Sequence, residues 1–378
     1  MDDHDNCRVS RRICGIFTAM TASPVVCRCL RHYLRTMMKK LRLVLLSVLL
    51  ASAALGCSPV SSGTGTWTWT DQGASGSRQW YSIASSADGS RLAAVVYAAD
   101  IWTSSDFGAS WNDQTTSGGS NPTAHNLAWY SIASSSDGSH LAAAVRPGDI
   151  WTSSDFGASW TDQRLSGSSQ WYSIASSSDG SHLAAVVNGV GGGDIWTSSN
   201  DGANWTDQTT SPGINSAAHN LGWASIASSS DGSHLAASVY TGDIWTSSNY
   251  GANWTDRVSS GSAQWEGIAS SSDGSRIAAV VFGGDIWTSA DYGASWTDRS
   301  AAGTRQWRFI ASSSDGGHLA ASATNLGHIW TSSDYGANWT DQGAAGGRNW
   351  GPVASSADGS RVAAAAIDHG DIVTGVYQ

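Results

Sequence analysis

The sequence predicts an all-β fold, a seven-bladed β-propeller built from four-stranded blades. Three observations carry this. The phrase W-x-x-I-A-S-S recurs seven times, at Trp80, Trp129, Trp171, Trp223, Trp265, Trp307 and Trp350, the last with Val353 for isoleucine. The intervals are 49, 42, 52, 42, 42 and 43 residues, and each holds four short strand-like segments separated by turn residues. Four strands in about 42 residues is the arithmetic of a propeller blade. The third observation is that the two ends of the repeat complement each other.

Within one unit the first strand reads WYSIASS and closes on a D-G turn such as Asp137-Gly138. The second reads HLAAAV, the third DIWTSS and the fourth ASWTDQ. Small Ala and Ser suit the crowded zone near an axis. The strands do not alternate strictly, as expected where both faces of a sheet are buried. The tryptophans of W-x-x-I and of DIWT are expected to pack between blades. A seventh copy of the fourth strand, Trp69-Thr70-Asp71-Gln72, stands alone ahead of the first unit, and the last unit stops after its third strand, Asp371-Ile372-Val373-Thr374. A strand at about 67–72 therefore completes the blade at 350–378 and leaves no open edge. The propeller spans 67–378.

The phrase linking third and fourth strands, TSSDFGASW at 103–111, returns unchanged at 152–160 and with small changes four more times. Its aspartate can accept from nearby backbone N–H groups, its glycine can take a positive φ, and its tryptophan can pack under the turn. The residues at the aspartate position are Asp106, Asp155, Asn200, Asn249, Asp291 and Asp334. Asparagine keeps the acceptor and drops the charge, so the role is turn geometry. The pattern S-x-D-x-G-x-x-W resembles the Asp-box, or BNR repeat, of sialidase-like propellers, over essentially all of 67–378. That resemblance implies boxes lying away from the functional face. His140, His182, His234 and His318 share one slot with Arg91, Arg276 and Arg361, one per blade, so no metal cluster is expected. No cofactor is expected either.

All five cysteines lie in the first 57 residues, which excludes a disulfide framework or a cysteine metal site in the repeats. Met37-Met38-Lys39-Lys40-Leu41-Arg42 is a basic start, followed by the apolar stretch LVLLSVLLASAAL. It ends at Gly56-Cys57 and resembles a bacterial lipoprotein signal peptide. Residues 1–36 are then expected to be a non-native upstream extension, 37–56 a signal peptide, Cys57 the lipidated residue and 57–66 a linker. An uncleaved anchor or an ordinary secretory peptide is the alternative. An exported, envelope-anchored monomer is the expectation, with the membrane reached only through Cys57. From Cys57 onward there are 11 Arg, no Lys, 26 Asp and one Glu, a formal charge of −16. Such a surface repels nucleic acid.

Blade lengths vary in two places only. From the Asp of WTDQ to the next W-x-x-I tryptophan there are 9 positions, but 16 after Asp113 and Asp207; the loop between second and third strands is enlarged at 188–193 and 323–327. Both loop types belong on one face, and binding residues sit on such loops. Three groups there are candidates. The long links share Ala-His-Asn-Leu, around His125 and His219. The residue after the W-x-x-I tryptophan varies: Tyr81, Tyr130, Tyr172, Ala224, Glu266, Arg308, Gly351. These can rim the central channel, the tyrosines stacking on a sugar or peptide. Arg78, Arg305 and Arg348 share a slot in three successive blades and, with Arg308, make a candidate anion site. Glu266 is the single glutamate, and the F/Y-R-I-P signature of sialidases is absent, as are nucleophile elbows, phosphate loops and HExxH. The expectation is a non-catalytic propeller that binds a glycan or protein. The alternatives are a diverged glycoside hydrolase and an assembly factor similar to the photosystem II stability propellers.

Overall fold

The computed structural model describes residues 65–378, apart from 117–120, 165–168, 211, 212 and 214. The expected extension, signal peptide, lipidated Cys57 and nearly all of the linker lie outside the described residues. Thr66–Gln378 forms one compact unit. It contains antiparallel strands and six single-turn 3-10 segments, with no α-helix among the described residues.

Each repeat folds as four antiparallel strands in chain order. In blade 1 these are Trp80–Ser85, Leu92–Val96, Ile101–Ser104 and Asn112–Asp113. Blades 2 to 7 begin at Trp129, Trp171, Trp223, Trp265, Trp307 and Trp350. The first strands neighbour one another in sequence order, and that of blade 7 neighbours that of blade 1. The outermost strands of blades 1 to 6 are two or three residues long, which keeps exposed edges short. Blade 7 differs. Its outer strand is Trp67–Gln72, paired with Ile372–Tyr377 in the register Trp67↔Tyr377 to Gln72↔Ile372. Glycine at 375 is required, because a Cβ there would meet the Trp69 ring at 2.8 Å.

A second closure runs round the axis. At the D-G turns, the backbone N–H of Ala87 donates to the Ser136 carbonyl at 2.6 Å. Ser136, Ser178, Ser230, Ser272 and Ser314 each donate to the next blade at 2.7 Å, the last to Ala357, and Ala357 donates back to Ala87 at 2.7 Å. Seven main-chain bonds form one unbroken circle. Each satisfies a donor and an acceptor that the turn would otherwise leave unpaired. The turn is held locally by its aspartate. Ser86 and the Ser90 amide both donate to Asp88, which holds that carboxyl down to about 2.

The core is divided among the blade junctions. Trp129 is buried among Ala93, Val95 and Ile101 of blade 1 and Ile132, Leu141 and Ala143 of its own blade. All seven such tryptophans are 0–1% exposed. Each of those in blades 2, 3, 4 and 5 also meets two others of its blade. For Trp129 these are Trp151, edge-on at 6.1 Å, and the box residue Trp160 at 6.3 Å. Such aromatic pairs contribute about 0.5–1.5 kcal/mol beyond area burial.

Candidate functional site

The variable slot after each core tryptophan faces the axis. Tyr81, Tyr130, Tyr172, Ala224, Glu266 and Arg308 line a single cavity of about 380 Å³. Blade 7 contributes differently. Gly351 has no side chain because Ile367 occupies its space: a Cβ at 351 would meet Ile367 Cγ2 at 2.1 Å. Ile367 and Asp368, from the loop between second and third strands, line the cavity in its place.

The tyrosines form an arc. Tyr81 and Tyr130 pack at 5.0 Å between ring centres, Tyr130 and Tyr172 at 4.9 Å, and Tyr97 stacks on the outer side of Tyr81 at 4.9 Å. The Arg146 guanidinium lies 4.8 Å from the Tyr130 ring centre and 4.6 Å from that of Tyr172. The expected open stacking platform is therefore partly used up: the rings pack on one another and under an arginine. Burial pushes the Tyr130 and Tyr81 phenols above their ordinary range. Glu266 is half-buried, and burial raises its carboxyl while the charge of Arg308 opposes the rise. The opening thus carries an aromatic wall on blades 1 to 3, a gap at Ala224 and a charged wall on blades 5 and 6. Sequence reasoning missed Tyr97, Arg146, Ile367 and Asp368. They lie in loops between second and third strands that the sequence did not single out.

The other two candidate groups are engaged within the fold. His125 Nδ1 lies 2.6 Å from Asp100 Oδ1, and its Nε2 is 2.8 Å from Asn126 Nδ2. His219 repeats this with Asp194 and Asn220 at 2.6 and 2.8 Å. These histidines anchor the long links. A buried asparagine does the same one turn earlier: Asn121 Nδ2 donates to the carbonyls of Gln114 and Ala158 at 2.7 and 3.1 Å and its Oδ1 accepts from the Trp160 amide at 2.9 Å. Asn215 matches it in the second long link. In the sequence, only the duplicated Ala-His-Asn-Leu phrase hinted at these anchors.

The three blade-start arginines do not join Arg308, since none of them lines the cavity that holds it. Arg78 lies 3.9 Å over Trp102, Arg305 4.0 Å over Trp330, and Arg348 pairs with Asp71 at 2.5 Å beside Trp350. Each covers the tryptophans of its own region, so a shared basic patch with Arg308 is not formed. The His/Arg slot after the D-G turn also has a structural use. Arg91, Arg276 and Arg361 stack on Phe156, Tyr335 and Phe107 of the next blade at 3.9–4.0 Å, and His182 and His234 on Tyr250 and Tyr292 at 4.9 Å. Among the described residues no group of three or more potential ligands could hold a metal ion.

In the boxes, Asp106 Oδ1 accepts from the Ser104 hydroxyl and the Ser110 amide, both at 2.8 Å, and the Ser104 hydroxyl accepts from Gly108 N at 2.9 Å. Asn200 and Asn249 keep the equivalent bonds through Oδ1 at 2.9–3.1 Å.

The family description BNR-Asp box repeat matches residues 101–114, 150–163, 244–256 and 329–342. No curated protein sequence matches the chain. Among solved structures it is similar to YCF48 bound to D1 peptide, with TM-score 0.62 and 15% identity over 82% of this chain and 97% of that one. YCF48 from Cyanidioschyzon merolae gives TM-score 0.60 and 17% identity over 81% and 98%. The GH74 xyloglucanase from Xanthomonas campestris gives 0.60 and 15% over 80% of this chain and 53% of that one. With its fold and these likenesses taken together, the chain is a β-propeller that carries four matched BNR-Asp box repeats.

Proposed function

We propose that this is a non-catalytic, exported binding propeller that takes a protein segment at the axial cavity and the loops around it. The observation that carries the reading is the distribution of difference. Seven blades repeat one pattern, yet the slot facing the cavity holds tyrosine, alanine, glutamate, arginine or glycine. A position used only for packing would repeat like its neighbours. The enlarged loops beside it also expose apolar side chains, with Val190 fully exposed and Leu326 76% exposed. Exposed apolar loop residues together with a cavity of mixed charge suit a polypeptide better than a sugar. A propeller of this fold in complex with a peptide is a precedent for the mode.

The test is selection of a displayed random-peptide library on the full-length protein. Selected peptides are expected to lose at least 10-fold in affinity in Arg308→Ala and in the Tyr81, Tyr130, Tyr172 triple alanine variant. No enrichment, or peptides indifferent to both variants, would contradict the reading.

A second reading has one observation behind it: Glu266, Tyr81, Arg308 and Asp368 line the same cavity, and two carboxylates are what a glycoside hydrolase requires. Among the described residues, however, no hydrogen bond or ion pair joins Glu266 to a tyrosine or to Arg308. Release of 4-methylumbelliferone from a panel of glycosides, lost in Glu266→Gln, would select it.

A further inference from the structure

The opposite side of the ring carries a second opening that the axial cavity does not explain. Between blades 3 and 4 lies a crevice of about 270 Å³ lined by His182, Thr197, Asn200, Asn204, Gln208 and Tyr250 among others. The same junction is open between blades 2 and 3, about 310 Å³, and between blades 1 and 2, about 200 Å³. Between blades 5 and 6 it shrinks to about 50 Å³. One residue differs between these open junctions and the narrow one. After W-x-D the fourth strand continues with Gln114, Gln163 or Gln208 at the open junctions and with Arg299 at the filled one. Gln208 Nε2 donates to the Thr197 hydroxyl at 2.7 Å, and Arg299 Nε makes the same bond to Thr288 at 2.7 Å. The longer Arg299 side chain lines what remains of the opening there.

The crevice between blades 3 and 4 also differs chemically. In the aspartate boxes the residue four positions on donates its side chain to the second carboxylate oxygen: Ser110 to Asp106, Ser159 to Asp155 and Ser295 to Asp291 at 2.6 Å, Asn338 to Asp334 at 2.7 Å. In blades 3 and 4 both positions are asparagine, Asn200 with Asn204 and Asn249 with Asn253. The main-chain bond survives, Asn204 N to Asn200 Oδ1 at 2.9 Å. The side-chain bond does not form. Among the described residues, the Asn200 Nδ2 group and the whole Asn204 carboxamide have no partner within the protein. Both residues are exposed, so the Asn200 Nδ2 donors and the whole Asn204 carboxamide are free to meet a ligand.

Four carboxamide residues, Asn200, Asn204, Gln208 and Asn249, with Thr197, Ser199, Thr206 and the His182–Tyr250 stack, therefore meet in one opening, with no Asp, Glu, Lys or Arg lining it. The other two open junctions do carry charge, Asp201 in that between blades 2 and 3 and Arg91 with Asp155 in that between blades 1 and 2. Neutral donors and acceptors beside an aromatic edge match a ligand that is uncharged and rich in hydroxyls. We propose that the crevice between blades 3 and 4 is a binding site for a neutral sugar residue, separate from the axial cavity.

The experiment titrates the full-length protein by calorimetry with maltotetraose, cellotetraose, mannotetraose, chitotetraose and galactotetraose. At least one should bind with one site per chain. Gln208→Arg, which installs the residue already present at Arg257 and Arg299, should weaken it at least 10-fold without changing the melting temperature. Asn200→Asp with Asn204→Ser, which restores the aspartate-box pair, should do the same. The Tyr81, Tyr130, Tyr172 triple variant should bind as the wild type does, which keeps this site apart from the peptide reading. Binding by none of the five, or binding unchanged in Gln208→Arg, overturns the proposal.

Discussion

The two sides of the ring are made from the same seven repeats and have opposite characters. At the D-G turns every blade does the same thing, and the main-chain bonds that join blades differ by no more than 0.1 Å round the circle. At the axial opening, a few residues away along the same strands, no two adjacent blades from Tyr172 onward present the same side chain. A group that closes a circle has identical neighbours on both sides, so one solution must serve all seven. A side chain that looks into the opening meets no such constraint. Repetition therefore marks what holds the molecule together, and its failure marks where it can recognise something else.

The comparison can be broken most severely at the seam. Gly375→Leu drives a side chain into the Trp69 ring and should detach the strand Trp67–Gln72. The expected result is insoluble protein, or a denaturation midpoint lowered by more than any single core truncation. Adjacent residues of one strand then sharpen the contrast. Trp307→Ala empties a fully buried site and should cost about 3–5 kcal/mol in chemical denaturation. Arg308→Ala, its neighbour facing the opening, should stay within about 0.5–1 kcal/mol of wild type while abolishing peptide binding. Smaller still are the boxes. Asp155→Ala removes an acceptor for the Ser153 hydroxyl and the Ser159 amide and should cost about 1–2 kcal/mol. Asp155→Asn should be close to neutral, because Asn200 and Asn249 already do that work.

The smallest effect concerns acid. Asp88, Asp137, Asp179 and Asp231 are each held down to about 2 by hydrogen bonds from neighbouring serines. Their unfolded value is near 3.9. Depressed carboxylates contribute stability that is complete above the unfolded value and is lost as pH falls through the folded one. The denaturation midpoint should therefore be flat from pH 7 to about 5 and decline between about 4 and 2. These groups are mostly solvated, so the decline per aspartate should be modest. A midpoint that rises on acidification would contradict this.

Much of the scaffold was legible because it is written seven times. The orphan Trp69-Thr70-Asp71-Gln72 could be matched to the unfinished Ile372 strand by composition alone, and the two do pair. The convergence of Tyr81, Tyr130, Tyr172, Glu266 and Arg308 on one cavity followed from their shared slot. What stayed hidden depends on contacts between blades or between loops. Arg146 reaches across a junction to cover two tyrosines, and Ile367 fills the place of Gly351 from a loop sixteen residues later. Arg78, Arg305 and Arg348 read as a free basic patch because sequence shows a charge but not the tryptophan beneath it. His125 and His219 read as exposed candidates because their aspartate partners lie 25 positions upstream.

The central claim is circular closure through the N-terminal strand. Hydrogen exchange of the full-length protein, followed by mass spectrometry on peptides covering 66–73 and 372–378, tests it directly. The account predicts that the two segments are protected to the same extent and lose protection together with the core strands. Rapid exchange at Trp67–Gln72 while Ile372–Tyr377 stays protected would show that the ring is not sewn shut there.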